Sequence, residues 1–204
     1  MLASISHTFI SLIPKVKSPE RAKDFGSISL CNVLYKIIFK VIANCLKKIL
    51  PQLVSKTQSA FMSNKLISDN ILVVVETLHY LKNKHKGKIG FIALKLDMSK
   101  AYDRVKWIFL EKLVERMGFN GKWITLISAY IRSVSYSILV NGEPCGQIHP
   151  TRGLHQGDPL SPFLFLLCVE GLHSLLQEAE SNRVIQGVSI CQQGPKVSHF
   201  FFCR

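Results

Sequence analysis

Asp97 closes the apolar segment Phe91-Ile-Ala-Leu-Lys-Leu-Asp97, and Tyr102 and Asp103 follow shortly after it. Read as a strand, the segment puts Ile92, Leu94 and Leu96 on one face and Ala93, Lys95 and Asp97 on the other. Ser99 then opens a run with Val105, Ile108, Phe109, Leu113 and Met117 at helical spacing, ending near Gly118. A carboxylate at such a strand-to-helix turn is well placed to meet a ligand. Capping the next helix is the plainer use of the same residue. A second stretch with chemical capacity is Gly153-Leu-His155-Gln156-Gly157-Asp158-Pro-Leu-Ser161-Pro162. Gln156 offers a donor and an acceptor together, and Gly153 and Gly157 permit close backbone approach. Ser161-Pro162 suits the start of a helix, which makes Asp158 a cap rather than a metal ligand.

Sulfur chemistry is not indicated. Cys31, Cys45, Cys145, Cys168, Cys191 and Cys203 form no C-x-x-C pair and have no His at zinc spacing, so they read as reduced thiols. His79 and His85 likewise have no partners at ligand spacing.

The elements that must position these residues follow from periodicity. Phe9–Ile13 is a short apolar segment, followed by the basic connector Pro14 to Asp24. Ser29–Leu50 is the clearest helix, with Leu30, Val33, Leu34, Ile37, Ile38, Val41, Ile42, Leu46, Ile49 and Leu50 as its expected buried stripe and Pro51 closing it. Lys36, Lys40 and Lys47 gather on the opposite side. A polar bridge over Thr57–Phe61 and Ser63–Asn70 leads to a second helix with Ile71, Val74, Val75, Leu78 and Leu81 buried. The basic loop Lys82–Lys88 follows it. Further on, Trp123, Ile124, Ile127, Tyr130 and Ile131 mark a short helix. Ser135–Val140 alternates as a strand, Asn141-Gly142 is a hairpin turn, and Gln147–Pro150 is the returning strand. An apolar helix runs from Leu160 to about Leu176, and Val184–Ile190 with Lys196–Phe202 reads as a hairpin about Gln193-Gly194-Pro195. The whole is one α+β organisation without repeats or low-complexity tracts.

Charge points to a polyanionic partner. The chain of 204 residues carries 26 Lys+Arg against 13 Asp+Glu, net +13. Residues 1–100 hold 16 basic and 5 acidic side chains, so the first half carries +11 of that surplus. A lysine-coated solvated face is the bland alternative. No stretch approaches the ~18 unbroken apolar residues of a membrane span. Residues 1–14 lack a basic leader, so an intracellular setting without membrane contact is expected.

Three motifs in order resemble the reverse transcriptase of non-LTR (LINE-type) retrotransposons, and the likeness runs through nearly the whole chain. Leu96-Asp97-Met-Ser-Lys-Ala-Tyr102-Asp103 is similar to that family's first catalytic motif. Gln156-Gly157-Asp-Pro-Leu-Ser161-Pro162 is similar to its Q-G-x-x-L-S-P motif. Leu12-Ile-Pro-Lys15 with Ile28-Ser-Leu30 resembles the preceding fingers. The resemblance implies the fingers and partial palm of a right-hand polymerase, with an antiparallel palm sheet and helices on one face. Residues 1–90 would be the fingers-like basic region and 91–204 the partial palm. It implies that residues 91–97, 135–140 and 197–202 share one sheet.

It also implies roles. Asp97 would be the first Mg²⁺ ligand and catalytic carboxylate, and Tyr102 the aromatic gate that crowds a ribose 2′ oxygen. Gln156 and Gly157 would face template and nucleotide, and Lys15 the triphosphate. RNA template, DNA primer and deoxynucleotides would be the partners, with Lys36, Lys40 and Lys47 on the nucleic-acid backbone, and the setting would be nuclear. Gly26 stands where the family has an Arg on the triphosphate, and His155 where a basic Arg is frequent. In-line phosphoryl displacement is served by two cations held by carboxylates, ~3.5–4 Å apart. The family's Ala-Asp-Asp turn would follow Phe202, where the chain reads Cys203-Arg204. The expectation is therefore a truncated fragment, without a thumb, that does not extend a primer as it stands. A non-catalytic basic module for RNA or RNA–DNA duplex, or an inert remnant, are the alternatives.

Overall fold

The computed structural model describes residues 5–55, 58, 66–84, 90–189 and 196–201. The chain forms two compact units, Met1–Lys48 with Lys100–Phe165, and Ile49–Ser99 with Leu166–Arg204.

The first unit holds a four-stranded sheet of order β2-β1-β3-β4, from β1 (His7–Pro14), β2 (Phe25–Leu30), β3 (Ser135–Val140) and β4 (Glu143–Ile148). β1 pairs antiparallel with β2, from Phe9–Leu30 to Pro14–Phe25, after a connector with a 3₁₀ turn over Ala22–Asp24. The apolar segment beginning at Phe9 is thus a strand. β1 runs parallel to β3, from His7–Ser135 to Ser11–Leu139. β3 and β4 form the expected hairpin, turned by Asn141 and Gly142 at φ 53 and 87. Both residues take positive φ, as a type I′ turn requires. The returning strand begins at Glu143, earlier than the alternation indicates. Ser137 Oγ donates to the Gly146 carbonyl at 2.7 Å where the register shifts.

Helix α1 (Val33–Leu53) begins after Asn32, whose Oδ1 accepts the Leu34 N–H at 2.9 Å. Its start lies past Ser29 because the chain through Leu30 is committed to β2. It also continues through Pro51 to Leu53. Its buried row is Tyr35, Phe39, Ala43, Leu46 and Leu50. Most of the expected stripe lies elsewhere, with Val33, Leu34, Ile37, Ile38 and Val41 exposed. Both rows have helical spacing, so periodicity alone did not separate them. What separates them is the aromatic cluster of Tyr35, Phe39 and Tyr130, with centroids 4.5 to 6.1 Å apart.

The expected single helix after Ser99 is broken at Val105-Lys106 into α3 (Ala101–Arg104) and α4 (Trp107–Arg116). Trp107, Leu110 and Val114 are buried on α4, whereas Ile108 and Phe109 are exposed. α5 (Gly121–Arg132) is capped by Asn120, whose Oδ1 accepts from Lys122 N at 3.0 Å, and buries Ile127, Tyr130 and Ile131. Glu111 on α4 receives Ser128 Oγ at 2.6 Å and Arg132 at 2.9 Å, pinning α5 to α4. Helix α6 (Ser161–Ser181) starts in this unit.

The second unit contains α2 (Ile67–Asn83), most of α6, and a two-stranded ladder of β5 (Val188–Ser189) with β6 (Lys196–Val197). On α2 the expected buried positions Ile71, Val75 and Leu78 are exposed. Apolar residues surround much of that helix, including Leu72, so their spacing marks no single face. Ser55 N donates to Glu170 on α6 at 3.0 Å.

The anticipated common sheet is absent among the described residues. Residues 91–98 take no strand conformation, and Ile92, Leu94 and Leu96 are 80 to 86% exposed. Strand propensity stabilises little without a partner for the backbone groups. Among the described residues the 196–201 segment pairs over Lys196–Val197, with β5. The parallel pairing of β1 with β3 also makes the main sheet mixed rather than antiparallel. The Gln193-Gly194-Pro195 turn, most of the 57–65 bridge, residues 85–89, Cys191, Phe202 and Cys203 lie outside the described residues. No described helix is long and apolar enough to cross a membrane.

Candidate active site

Two segments distant in sequence are laced together in the first unit. Lys100, at φ 53, turns the chain into the single-turn helix α3. The Tyr102 carbonyl accepts Leu154 N at 2.9 Å, and the Val105 carbonyl accepts Gly153 N at 2.8 Å. Trp107 Nε1 donates to the Gly153 carbonyl at 2.7 Å. Gly153 sits at φ +96, and a Cβ there would lie 3.2 Å from Asp103 Cα and O. Only glycine permits so close an approach in that conformation. The Tyr102 ring stacks on Phe165 at 4.5 Å and 17°. Ring packing and the one-turn helix thus hold Tyr102 next to the Gly153 loop.

That loop alternates between inside and outside. Leu154 and His155 are buried, Gln156 and Gly157 are exposed, and Asp158 is buried again. Asp158 Oδ1 accepts Leu160 N at 2.6 Å and Ser161 N at 3.1 Å, capping α6 as the sequence indicates. Ser161 Oγ in turn meets Tyr130 OH at 2.8 Å. Burial raises the Asp158 carboxyl above the usual range, partly offset by hydrogen bonding. Burial likewise raises the Tyr35 and Tyr130 phenols, with the Asp158 charge adding to the shift. Among the described residues, Tyr35 OH and Asp158 Oδ2 are both buried without a hydrogen-bond partner. Asp158 is therefore anchored through Oδ1, by its two bonds to the start of α6, while a buried polar atom left unmatched is a cost that the rest of the packing offsets.

His155 is placed differently from an arginine that faces phosphate. Its Nδ1 lies 2.9 Å from Tyr136 OH and its Nε2 2.9 Å from Cys31 Sγ. The Tyr136 ring lies parallel to it, 4° between planes, at 5.3 Å. Burial and then the Lys36 charge push the imidazole down to about 4, so it is neutral at pH 7. Burial raises the Cys31 thiol, which makes this pair a hydrogen bond and not a thiolate–imidazolium couple. Sequence spacing carries no sign of it, since Cys31 and His155 stand 124 residues apart.

The other candidate residues are distributed as follows. Lys36, Lys40 and Lys47 are exposed on α1 within ~40° of one another about the helix axis. They flank the buried row rather than oppose it. Lys15 is exposed, its N–H donating to the Asp24 carbonyl at 2.7 Å. A Cβ on Gly26 would stand 3.1 Å from Lys15 Cε, so the lysine stem crosses the glycine. Asp97 belongs to the second unit, exposed on the irregular 91–98 segment, at neither a strand end nor a helix cap. Lys100 takes the cap position of α3. Among the described residues no three His, Cys, Asp or Glu side chains converge.

Comparison with known proteins gives the arrangement its family. A sequence model described as reverse transcriptase (RNA-dependent DNA polymerase) matches residues 13–196. The transposon TX1 uncharacterized 149 kDa protein of Xenopus laevis is 26% identical over 183 residues, covering 90% of this chain and 14% of that protein. An uncharacterized mitochondrial protein of Arabidopsis thaliana is 42% identical over 64 residues, 31% of this chain and 52% of its own length. A retrovirus-related Pol polyprotein from the type-2 retrotransposable element R2DM of Drosophila melanogaster is 27% identical over 160 residues, 78% of this chain and 15% of that polyprotein. The chain thus spans from about a seventh to about half the length of these relatives. The matched span covers both laced segments, and the chain belongs to the reverse transcriptase (RNA-dependent DNA polymerase) family, as a reverse transcriptase domain of the non-LTR retrotransposon kind.

Proposed function

We propose that this chain holds RNA template and incoming deoxynucleotide for RNA-directed DNA synthesis, with residues 1–90 as fingers and 91–204 as part of the palm. The observation that carries this reading is the lacing of Tyr102–Val105 to Gly153–Leu154. It puts the aromatic ring of one motif and the exposed Gln156 amide of the other on one rigid support. Tyr102 crowds the sugar, Gln156 hydrogen-bonds a base or sugar edge, and Gly157 admits the backbone closely. Lys15 pairs with the triphosphate, and Lys36, Lys40 and Lys47 pair with backbone phosphates of the RNA template and DNA primer.

The family is dependent on divalent metal, and Asp97 is the hard oxygen donor in this chain that matches its first ligand. Mg²⁺ there would need further carboxylates beside Asp97. Association with nucleic acid in the nucleus is the corresponding setting.

Fluorescence anisotropy with a labelled RNA–DNA primer–template tests the reading. Affinity should fall steeply with salt, since neutralised phosphates release counterions. The next complementary deoxynucleotide should tighten the complex, and Gln156→Ala should remove that tightening. Binding indifferent to deoxynucleotide would leave a non-catalytic RNA–DNA binding module. A salt slope near zero would remove both readings.

A further inference from the structure

We propose that His155 is a positioning residue that, together with Asp158, clamps Gln156 and Gly157 in their exposed position, and that it makes no contact with phosphate; this rests on the template and nucleotide role given to that loop. The residues on either side of the exposed pair are buried, His155 at 4% and Asp158 at 3% exposure. Each is tied to a different framework. Asp158 binds the start of α6 through Leu160 and Ser161 N–H groups. His155 binds Tyr136 of β3 through one ring nitrogen and Cys31, between β2 and α1, through the other.

With both nitrogens engaged inside the protein, the imidazole has no ring nitrogen left for a phosphate oxygen. Whichever tautomer is present, one nitrogen donates and the other accepts. The Tyr35 ring stands edge-on at 6.2 Å and closes another side. Lys36 is near enough that its charge disfavours a second cation here. An arginine at this position would have to bury its guanidinium beside Lys36 or leave the pocket. The loop would then lose its tie to β3 and to Cys31, and Gln156 would lose the buried neighbour that fixes it on one side.

The test uses the purified chain with three variants, His155→Arg, Cys31→Ala and Cys31→Ser. Two quantities are read, hydrogen exchange at the Gly153 and Leu154 amides, and the salt dependence of affinity for an RNA–DNA primer–template. These amides report the lacing directly, since they bond to Val105 and Tyr102 carbonyls. His155→Arg and Cys31→Ala should speed their exchange about tenfold, reflecting local opening. Both should weaken duplex binding without changing the slope of log affinity against log salt. Cys31→Ser, which keeps a hydrogen-bonding group, should restore slow exchange and affinity. An adverse result is tighter binding by His155→Arg with the slope steeper by about 0.7–0.9, the mark of one added phosphate contact. Unchanged exchange in both His155→Arg and Cys31→Ala would equally overturn the clamp. If the unaltered chain binds no duplex, the functional reading fails and the exchange arm alone decides the clamp. If His155→Arg does not fold, the two Cys31 variants decide it.

Discussion

The segment carrying Asp97 and the loop carrying Gln156 are held by contrasting means. Residues 91–98 expose Ile92, Leu94 and Leu96 and take no regular conformation. The Gly153–Asp158 loop, also without regular secondary structure, is fixed by hydrogen bonds to Tyr102, Val105, Trp107, Cys31 and Tyr136. Regularity and rigidity are therefore separate properties in this chain. A loop becomes a support when its backbone groups have partners, and an apolar run with strand propensity does not become one until something pairs with it.

Truncations of equal size should separate the two regions most sharply. Leu110 is fully buried, so Leu110→Ala should cost about 2–5 kcal/mol in chemical denaturation. Leu94→Ala, in the exposed segment, should stay within about 0.5 kcal/mol. A similar cost at both positions would erase the contrast.

Acid should loosen the loop next. The neutral, buried His155 has its proton affinity depressed to about 4, below the ordinary 6.5. The folded state then binds fewer protons than the unfolded chain between those pH values. Stability from this group is full above about pH 6.5 and is lost as pH falls through 4, an effect of about 3 kcal/mol. His155→Gln should flatten that part of the pH–stability curve measured against the unaltered chain. An unchanged curve would mean that the imidazole is solvated.

Smaller effects sharpen the account of the clamp. Asp158→Ala should cost about 1–2 kcal/mol through loss of the α6 cap, while Asp158→Asn should keep most of it, because Asn caps as well as Asp. Burial raises the Asp158 carboxyl, so its own contribution is greatest at low pH and declines as pH rises through the folded value. Asp158→Asn should remove that decline in a pH series of melting temperatures. Gly153→Ala should cost on the order of 1–3 kcal/mol from the strained φ, with further loss from contact with the Asp103 backbone. Faster exchange at Leu154 would accompany it.

The legible parts of the sequence were those fixed locally. Asn141-Gly142 specified its hairpin because positive φ is a property of two residues and their turn. Asp158 likewise capped its helix through atoms two and three residues away, as Asn120, which was not singled out in the sequence, also does for α5. The buried face of α1 was not legible, since Val33, Leu34, Ile37, Ile38 and Val41 have spacing comparable with Tyr35, Phe39 and Ala43. The choice came from Tyr130, nearly a hundred residues on. The first motif was recognisable by its residues while its local structure was not. Asp97 has neither the strand nor the helix cap that alternation and spacing predict. His155 was visible as a departure from a basic position, but its partners Cys31 and Tyr136 come from other strands and connections, which spacing does not encode.

The central claim is that the Tyr102 turn and the Gln156 loop act as one template and nucleotide support. A double-mutant cycle measures this directly, with Tyr102→Ala, Gln156→Ala and the pair compared for the gain in primer–template affinity produced by the next complementary deoxynucleotide. A shared support predicts non-additive losses, with a coupling of about 0.5–3 kcal/mol between the two sites. Losses that add within about 0.3–0.5 kcal/mol would contradict it, since they would show the two motifs meeting the nucleotide independently or not at all.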